Sequence, residues 1–183
     1  APSGALYVIQ FGGNDINAVL QANPPLSPLA AQGAIANAVN AIKANIGVLK
    51  AHGARKFLVA NAPNLGRVPV VRAAGAELPA EQLSALFNGL LDLALADLAA
   101  DGTEIYRVNL FDFLEASSEY PQGLGFVGDP NPFTAPCLPV FVPELGACTD
   151  VDQRFYWDGI HPTRAAHRIA GNIAYNVLGL AGD

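Results

Sequence analysis

The chain has 183 residues, 51% of them hydrophobic, which is enough for one well-packed domain and too few for two ordinary ones. Its 16 acidic side chains outnumber its 10 lysines and arginines, giving a formal net charge of −6. That balance argues against a nucleic-acid or anionic-membrane partner, and the short, interrupted apolar runs argue against a transmembrane helix. We expect a single domain over residues 1–183 that handles uncharged ligands.

Three short apolar segments are typical of strands buried on both faces. They are Ala5–Phe11, Lys56–Ala60 and Glu104–Leu110, and all contain β-branched or aromatic residues. A turn-rich segment, Asn61–Gly66, follows the second of them.

Helical periodicity separates these segments. Apolar residues spaced by three and four from Ile35 to Leu49 predict a helix that ends at His52-Gly53. Further helices are predicted from about Pro79 to Ala100, from about Leu110 to Glu119, and from about Ala165 to Leu178. Alternation of strands and helices favours an α/β fold with a parallel sheet covered on both faces.

The only cysteines, Cys137 and Cys148, lie in a Pro-rich stretch between Tyr120 and Phe155 that is predicted to be a long loop. Without nearby Cys or His partners they cannot complete a zinc site, and a loop gains stability from a cross-link. We predict a disulfide, and hence a secreted or periplasmic protein. The alternative is a pair of free, buried thiols in a cytosolic protein.

Asp158 and His161 form the first candidate site, in the segment Trp157-Asp-Gly-Ile-His-Pro-Thr163. A carboxylate three residues before an imidazole can accept the proton of one ring nitrogen, leaving the other free as a general base. The alternative is an Asp-Gly turn before a helix that starts at Pro162 or Thr163, with His161 incidental.

Gly12-Gly-Asn14-Asp15 forms the second candidate site, directly after the first predicted strand. In a parallel sheet, ligands bind at the carboxyl ends of strands. Gly12 would allow a sharp turn there, and the Asn14 amide could donate to a developing oxyanion. The alternative is an ordinary turn in which Asp15 or Asn17 caps a helix.

Together, Gly12-x-Asn14-Asp15 after a strand and Asp158-x-x-His161-Pro162 before the last helix resemble the third and fifth blocks of the SGNH (GDSL) hydrolase family. Residues 56–66, residues 106–113 and the Cys-bearing loop look like its bacterial secreted esterase and lipase branch. The resemblance implies a three-layer α/β/α flavodoxin-like fold and ester hydrolysis without metal or organic cofactor. It also implies His161 as general base, Asp158 as its orienting partner, Asn14 as the oxyanion-hole side chain and Gly12 as the turn residue.

The chain departs from the family at the nucleophile, because the Gly-Asp-Ser block and the first strands are not in it. None of the five serines lies in a strand-to-helix elbow: Ser3, Ser27, Ser84, Ser117 and Ser118. We therefore expect the serine to come from a segment outside this chain. The expected partners are an acyl ester, lipid or acylated sugar as substrate, and a second copy or a separate N-terminal segment pairing with the strand Ala5–Phe11. The alternatives are a catalytically silent binding or interaction domain of this family, and an unrelated α/β domain or exported interaction module in which the motifs arise by chance.

Overall fold

The structure, a computed structural model, describes residues 1–128, 133–139 and 146–179. It contains three strands, β1 (Leu6–Gln10), β2 (Lys56–Ala60) and β3 (Glu104–Val108). Its helices are α1 (Gly13–Leu20), α2 (Pro28–Ala51), α3 (Pro69–Ala73), α4 (Glu77–Ala99), α5 (Leu110–Glu119) and α6 (Arg164–Val177). Within the described ranges, no helix is both long enough and apolar enough to cross a membrane.

The three strands form one parallel sheet in the order β1-β2-β3. Leu6 pairs with Lys56, and Lys56 in turn pairs with Glu104, so the carboxyl ends of all three strands lie at one edge. Among the described residues β1 hydrogen-bonds to β2 alone and is an edge strand. This arrangement places the segments that follow the strands side by side.

The larger core fills one face of the sheet. It joins the alternate residues Phe57 and Val59 of β2 to the apolar sides of α2 and α4, and Ile16 of α1 lies in it fully buried. Alternation in a strand sends the intervening residues to the opposite face. There Leu58 and Val108 are also buried, and α6 contacts β3. The predicted parallel sheet between helical layers is confirmed.

A second, smaller core joins α5 and α6 to the segment before α6. Its centre is Phe155, whose ring centroid lies 4.8 to 5.6 Å from those of four other aromatic rings: Phe113, Phe126, Phe133 and Tyr156. Offset and edge-on ring pairs at such distances stabilise by about 0.5–1.5 kcal/mol beyond burial. This cluster fixes the chain immediately before Asp158.

Most predicted elements are confirmed, with shifted ends. The helix predicted at Ile35–Leu49 starts earlier, at Pro28, because Ser27 caps it by accepting a hydrogen bond from the Ala30 N–H. The predicted loop between Tyr120 and Phe155 contains 3₁₀ turns at Gln122–Leu124 and Val151–Gln153. Its residues 129–132 and 140–145 lie outside the described residues.

The sequence interpretation needs correction at three places. Helix α1 starts at Gly13, directly after the turn at Gly12 and ahead of the alternative cap positions Asp15 and Asn17, and α3 was not predicted. The strand β1 has the composition of a strand buried on both faces, but one face is uncovered within the described residues, as its expected pairing with a further segment implies: Val8 is 67% exposed and Leu6 39% exposed. Its other face, with Tyr7 and Ile9, packs on the larger core. Part of the apolar surface of β1 is therefore left uncovered by the described residues.

Cys137 and Cys148 form a disulfide, as predicted. The bonded loop is also paired with the segment that precedes Asp158. The Cys137 N–H donates to the Tyr156 carbonyl at 3.0 Å, and the Leu138 N–H donates to the Trp157 carbonyl at 2.6 Å. The disulfide thus supports both its own loop and residues 156–157.

Reduction of the disulfide is expected to loosen residues 137–138 and 156–157 while the sheet stays protected, because the cross-link closes a local ring that contributes roughly 3 kcal/mol. Hydrogen exchange followed by mass spectrometry, with and without reductant, measures this directly. The double variant Cys137→Ser/Cys148→Ser in the absence of reductant is the control. Unchanged exchange at residues 156–157 would contradict the prediction.

Candidate functional site

The Asp158 carboxylate organises the turn that leads into α6. Its Oδ1 accepts hydrogen bonds from the N–H groups of Ile160 at 2.8 Å and His161 at 2.7 Å. Its Oδ2 lies 2.8 Å from Nδ1 of the His161 ring. One side chain therefore both folds the turn and orients the imidazole.

The tautomer of His161 follows from this contact. A carboxylate accepts, so Nδ1 carries the proton, and in the neutral ring Nε2 has its lone pair free. Partial burial raises the pKa of Asp158, but hydrogen bonds from His161 and Ile160 outweigh burial, and its pKa lies below the ordinary value. Asp158 is therefore ionised at neutral pH, while the His161 side chain is 70% exposed and accessible.

Backbone pairing holds both ends of this turn. Tyr156 and Pro162 form an antiparallel bridge, and the Trp157 N–H donates to the His161 carbonyl at 2.8 Å. Thr163 then caps α6 by accepting from the Ala166 N–H, which is the helix start that the sequence predicts. Tyr156 is buried, and this burial raises the pKa of its phenol, which stays neutral. The imidazole thus projects from a turn whose two ends are both held by hydrogen bonds.

Gly12 and Asn14 lie where β1 passes into α1. Gly12 has a φ of 111°, and a Cβ there would lie 2.4 Å from the Phe87 ring, so both conformation and space require glycine. This geometry agrees with the turn that the sequence predicts. Asn14 is the second residue of α1, and its side-chain amide has no hydrogen-bond partner within the described ranges. Its N–H donors are available to a ligand.

A single cavity of about 450 Å³ brings the two candidate sites together, because both Asn14 and His161 line it. It opens at the carboxyl edge of the sheet, where the sequence analysis places the site. The 3₁₀ turn Leu65–Arg67, α3 and α5 form one side. No Asp, Glu, Lys or Arg is among the described residues that line it.

Buried and partly buried polar contacts hold that side of the cavity in place. The Asn88 side chain donates to the Ala62 carbonyl and accepts from the Ala62 N–H. Glu115 accepts two hydrogen bonds from the Arg67 guanidinium, at 2.9 and 2.7 Å, and these chiefly lower the pKa of Glu115. The fully buried Asn64 donates to the same carboxylate.

A backbone hydrogen bond links this side of the cavity, its wall, to the turn that carries His161, the candidate general base. The Val70 N–H, in the first turn of α3, donates to the Gly159 carbonyl at 3.1 Å. Gly159 lies between Asp158 and His161 in the chain. The cavity wall and the turn that carries the imidazole are therefore directly connected.

None of the five serines lines the cavity. Ser84 Oγ donates to the Ala80 carbonyl at 2.8 Å, and Ser117 Oγ donates to the Phe113 carbonyl at 2.6 Å; both are buried in helices. Ser27 caps α2. Ser3 precedes β1 and Ser118 lies in α5, so neither follows the carboxyl end of a strand directly.

Four polar residues of the cavity were not predicted as site residues: Gln10, Asn17, Gln21 and His167. The signal in the sequence is the spacing of Asn14, Asn17 and Gln21 by three and four residues, which is typical of one face of a helix. His167 follows Thr163 by one helical turn, and its Nδ1 donates to the Thr163 carbonyl at 2.9 Å. Its position became visible only through the fold.

The sequence matches the family described as GDSL-like Lipase/Acylhydrolase over residues 1–174. A Pseudomonas putida protein, described as uncharacterized and encoded between trpE and trpG, is 27% identical over 97% of this chain and 29% of its own length. An Arabidopsis thaliana GDSL esterase/lipase is 27% identical over 70% of this chain and 41% of its own. Another Arabidopsis protein, named an inactive GDSL esterase/lipase-like protein, is 25% identical over 94% of this chain and 44% of its own.

These relatives include plant and bacterial proteins, so they do not separate the bacterial branch from the rest. The chain spans between a quarter and half the length of the curated relatives that it matches. The family match nevertheless covers nearly all of its residues and includes both candidate sites. The chain therefore belongs to the GDSL-like lipase/acylhydrolase family, a family of hydrolases that act on esters.

Proposed function

We propose that this chain provides the general base and the oxyanion donor of a serine esterase or lipase. The observation that carries the proposal is the 2.8 Å contact between Asp158 Oδ2 and His161 Nδ1, which orients an imidazole that lines the same cavity as Asn14. An oriented base and a free amide donor in one water-accessible cavity suit acyl transfer. The family membership independently supports an ester substrate.

In the proposed reaction, His161 Nε2 removes the proton of a serine hydroxyl as its oxygen attacks the ester carbonyl carbon. The oxyanion so formed accepts a hydrogen bond from the Asn14 amide, while Asp158 stabilises the imidazolium. The imidazolium then protonates the departing alcohol. Water, deprotonated by the same imidazole, then attacks the carbonyl carbon of the acyl-enzyme. The serine oxygen leaves and takes the proton back from the imidazolium, and the carboxylic acid is released.

We propose that the serine comes from a segment outside this chain, which pairs with β1. Support comes from the five serines, none of which lines the cavity. It also comes from the open edge of β1 and the exposed Val8 and Leu6 on its uncovered face. Exposed apolar edge strands recruit further strands. A strand added there in parallel would end at the same edge as Gly12 and Asn14.

A second candidate function is a catalytically silent, ligand-binding member of the family. One observation favours it specifically: a relative aligned with 94% of this chain is named inactive. Under this alternative the cavity would bind acyl ligands without cleaving them. Ester hydrolysis by a preparation that contains this chain would favour the esterase over the silent binding domain.

We also propose that the protein works in an oxidising compartment, as a secreted or periplasmic protein. The Cys137–Cys148 disulfide supports this, since such bonds persist mainly outside the reducing cytosol. Titration of the unfolded, unreduced protein isolated from its native source should find no free thiol.

Replacing the base should abolish turnover. In an active preparation, His161→Ala is expected to lower kcat on the order of 10⁶-fold and Asp158→Asn on the order of 10⁴-fold, because the carboxylate orients the base but does not itself take the serine proton. Steady-state hydrolysis of nitrophenyl esters measures both. His52→Ala is the matched control, since His52 is an exposed imidazole at the end of α2. Equal rates for wild type and His161→Ala would eliminate the proposed base.

Removing the oxyanion donor should affect turnover far more than substrate binding. Asn14→Ala is expected to lower kcat by roughly 100- to 1,000-fold with little change in KM, because the amide is needed mainly in the transition state. Asn45→Ala, at an exposed position of α2, is the control. A change confined to KM would point to ground-state binding instead.

The open edge gives a third test. The isolated chain should not hydrolyse esters, and activity should appear when a separately expressed segment bearing the family's Gly-Asp-Ser block is added and vanish when its serine is replaced. Val8→Glu should prevent this complementation, because it places a charge on the uncovered face of β1. Val48→Glu is the control and should leave complementation intact, because Val48 is similarly exposed (56%) but lies on α2 and not on β1.

Size-exclusion chromatography at several concentrations shows which partner occupies the edge. A concentration-dependent dimer of the chain alone would favour a second copy over a separate segment. A clean monomer with full serine-dependent activity would contradict the proposal, and one of the five serines would then be the nucleophile.

A further inference from the structure

The cavity has two chemically different sides. Toward α3 and α5 it is apolar, with Val71, Phe113 and Leu114 among its lining residues. Toward α1 and α6 it is polar but uncharged, and the residues there carry amides or imidazoles: Gln10, Asn14, Asn17, Gln21, His161 and His167. Asn14 and His161 already have roles in the proposed reaction, which leaves the other four for recognition of a ligand.

The polar side presents both donors and acceptors. Gln21 Nε2 donates to Asn17 Oδ1 at 3.1 Å, which fixes the two amides relative to each other and leaves Asn17 Nδ2 and Gln21 Oε1 for other partners. His167 Nδ1 donates to the Thr163 carbonyl at 2.9 Å, so in the neutral ring Nε2 is an acceptor. Hydroxyl groups match such a surface because each of them donates and accepts.

The same surface is unsuited to a charged group. Moving a phosphate, carboxylate or quaternary ammonium from water into the cavity removes part of its hydration, and a favourable exchange needs a counter-charge. The described lining contains no Asp, Glu, Lys or Arg side chain to supply one. Neutral hydroxyls lose less on transfer and regain hydrogen bonds from the amides.

We propose that Asn17, Gln21 and His167 form the subsite for the alcohol part of the substrate, and that this substrate is an aliphatic acyl ester of a neutral, hydroxyl-rich alcohol such as a sugar or glycerol. This inference rests on the proposed esterase function of the same cavity. The acyl chain lies against Val71, Phe113 and Leu114. The scissile ester lies between the two sides, near Asn14 and His161.

Uncleavable ligands test the subsite without any need for catalysis. The 183-residue chain is titrated, below the micelle concentration, with four compounds that share an octyl or octanoyl chain: octyl glucoside, 1-O-octylglycerol, octylphosphocholine and octanoate. Calorimetry gives the dissociation constants, and side-chain amide resonances of Asn17 and Gln21 report the site. We expect the two neutral ligands to bind at least about tenfold more tightly than the two charged ones. The glucoside and the glycerol ether together show which neutral head the cavity prefers.

The amide variants locate the effect. Asn17→Ala and Gln21→Ala should each weaken binding of the preferred neutral ligand about three- to tenfold while leaving octanoate unchanged. Gln32→Ala, at an exposed position of α2, is the matched control and should change neither. Thermal unfolding of each variant verifies that α1 remains folded.

Three results would overturn the inference: charged heads binding as tightly as neutral ones, amide variants behaving like Gln32→Ala, or no binding by any of the four ligands. These outcomes are separate from failure of the esterase proposal. A chain that binds octyl glucoside through Asn17 and Gln21 but never cleaves esters would keep the subsite and lose the enzyme. An active esterase that prefers charged esters would support the proposed enzyme and overturn the proposed subsite.

Discussion

The candidate site depends on one carboxylate that performs two tasks. Asp158 accepts two backbone N–H groups of its own turn and also the Nδ1 proton of His161. Charge-assisted hydrogen bonds of this kind are stronger than neutral ones, so the conformation of the turn and the tautomer of the imidazole are set together. A free imidazole at a loop tip would sample many orientations. Here the contact of Nδ1 with Asp158 fixes the orientation of the imidazole, and Nε2 stays accessible to a ligand.

The rest of the described structure supports this turn from two directions. Below it, the aromatic cluster around Phe155 and the backbone pairing with Cys137 and Leu138 hold the approach to Asp158. Beside it, the contacts among Asn64, Arg67 and Glu115 hold the wall of the cavity. The larger core lies on the other face of the sheet and supports the site through the strand ends and through α1, whose Ile16 is buried in that core while Asn14 lines the cavity. The two candidate sites are therefore held by different contacts.

The sequence predicted what depends on local pattern and missed what depends on neighbours in space. Strand composition and helical spacing predicted β2, α4 and α5 nearly to the residue and the end of α2, and the spacing of Asp158 and His161 predicted their contact. The start of α1 was missed, because Gly12-Gly13 reads as a turn and the alternative interpretation placed the helix cap at Asp15 or Asn17, whereas the cap position is Gly12.

Composition alone could not predict the exposure of β1, because an apolar strand reads as buried whether or not another layer covers it; the expectation of an open edge came from the family resemblance. The convergence of Asn17, Gln21 and His167 could be predicted only once the order of the strands in the sheet was known.

The hydrogen bond from the Val70 N–H to the Gly159 carbonyl bears on redesign of this protein. Residues 68–71 are the obvious positions for reshaping the apolar side of the cavity, yet their backbone is tied to the turn that carries the imidazole. Side-chain exchanges that preserve the backbone of α3 leave that tie intact, whereas insertions, deletions or proline at Val70 would shift the base along with the wall.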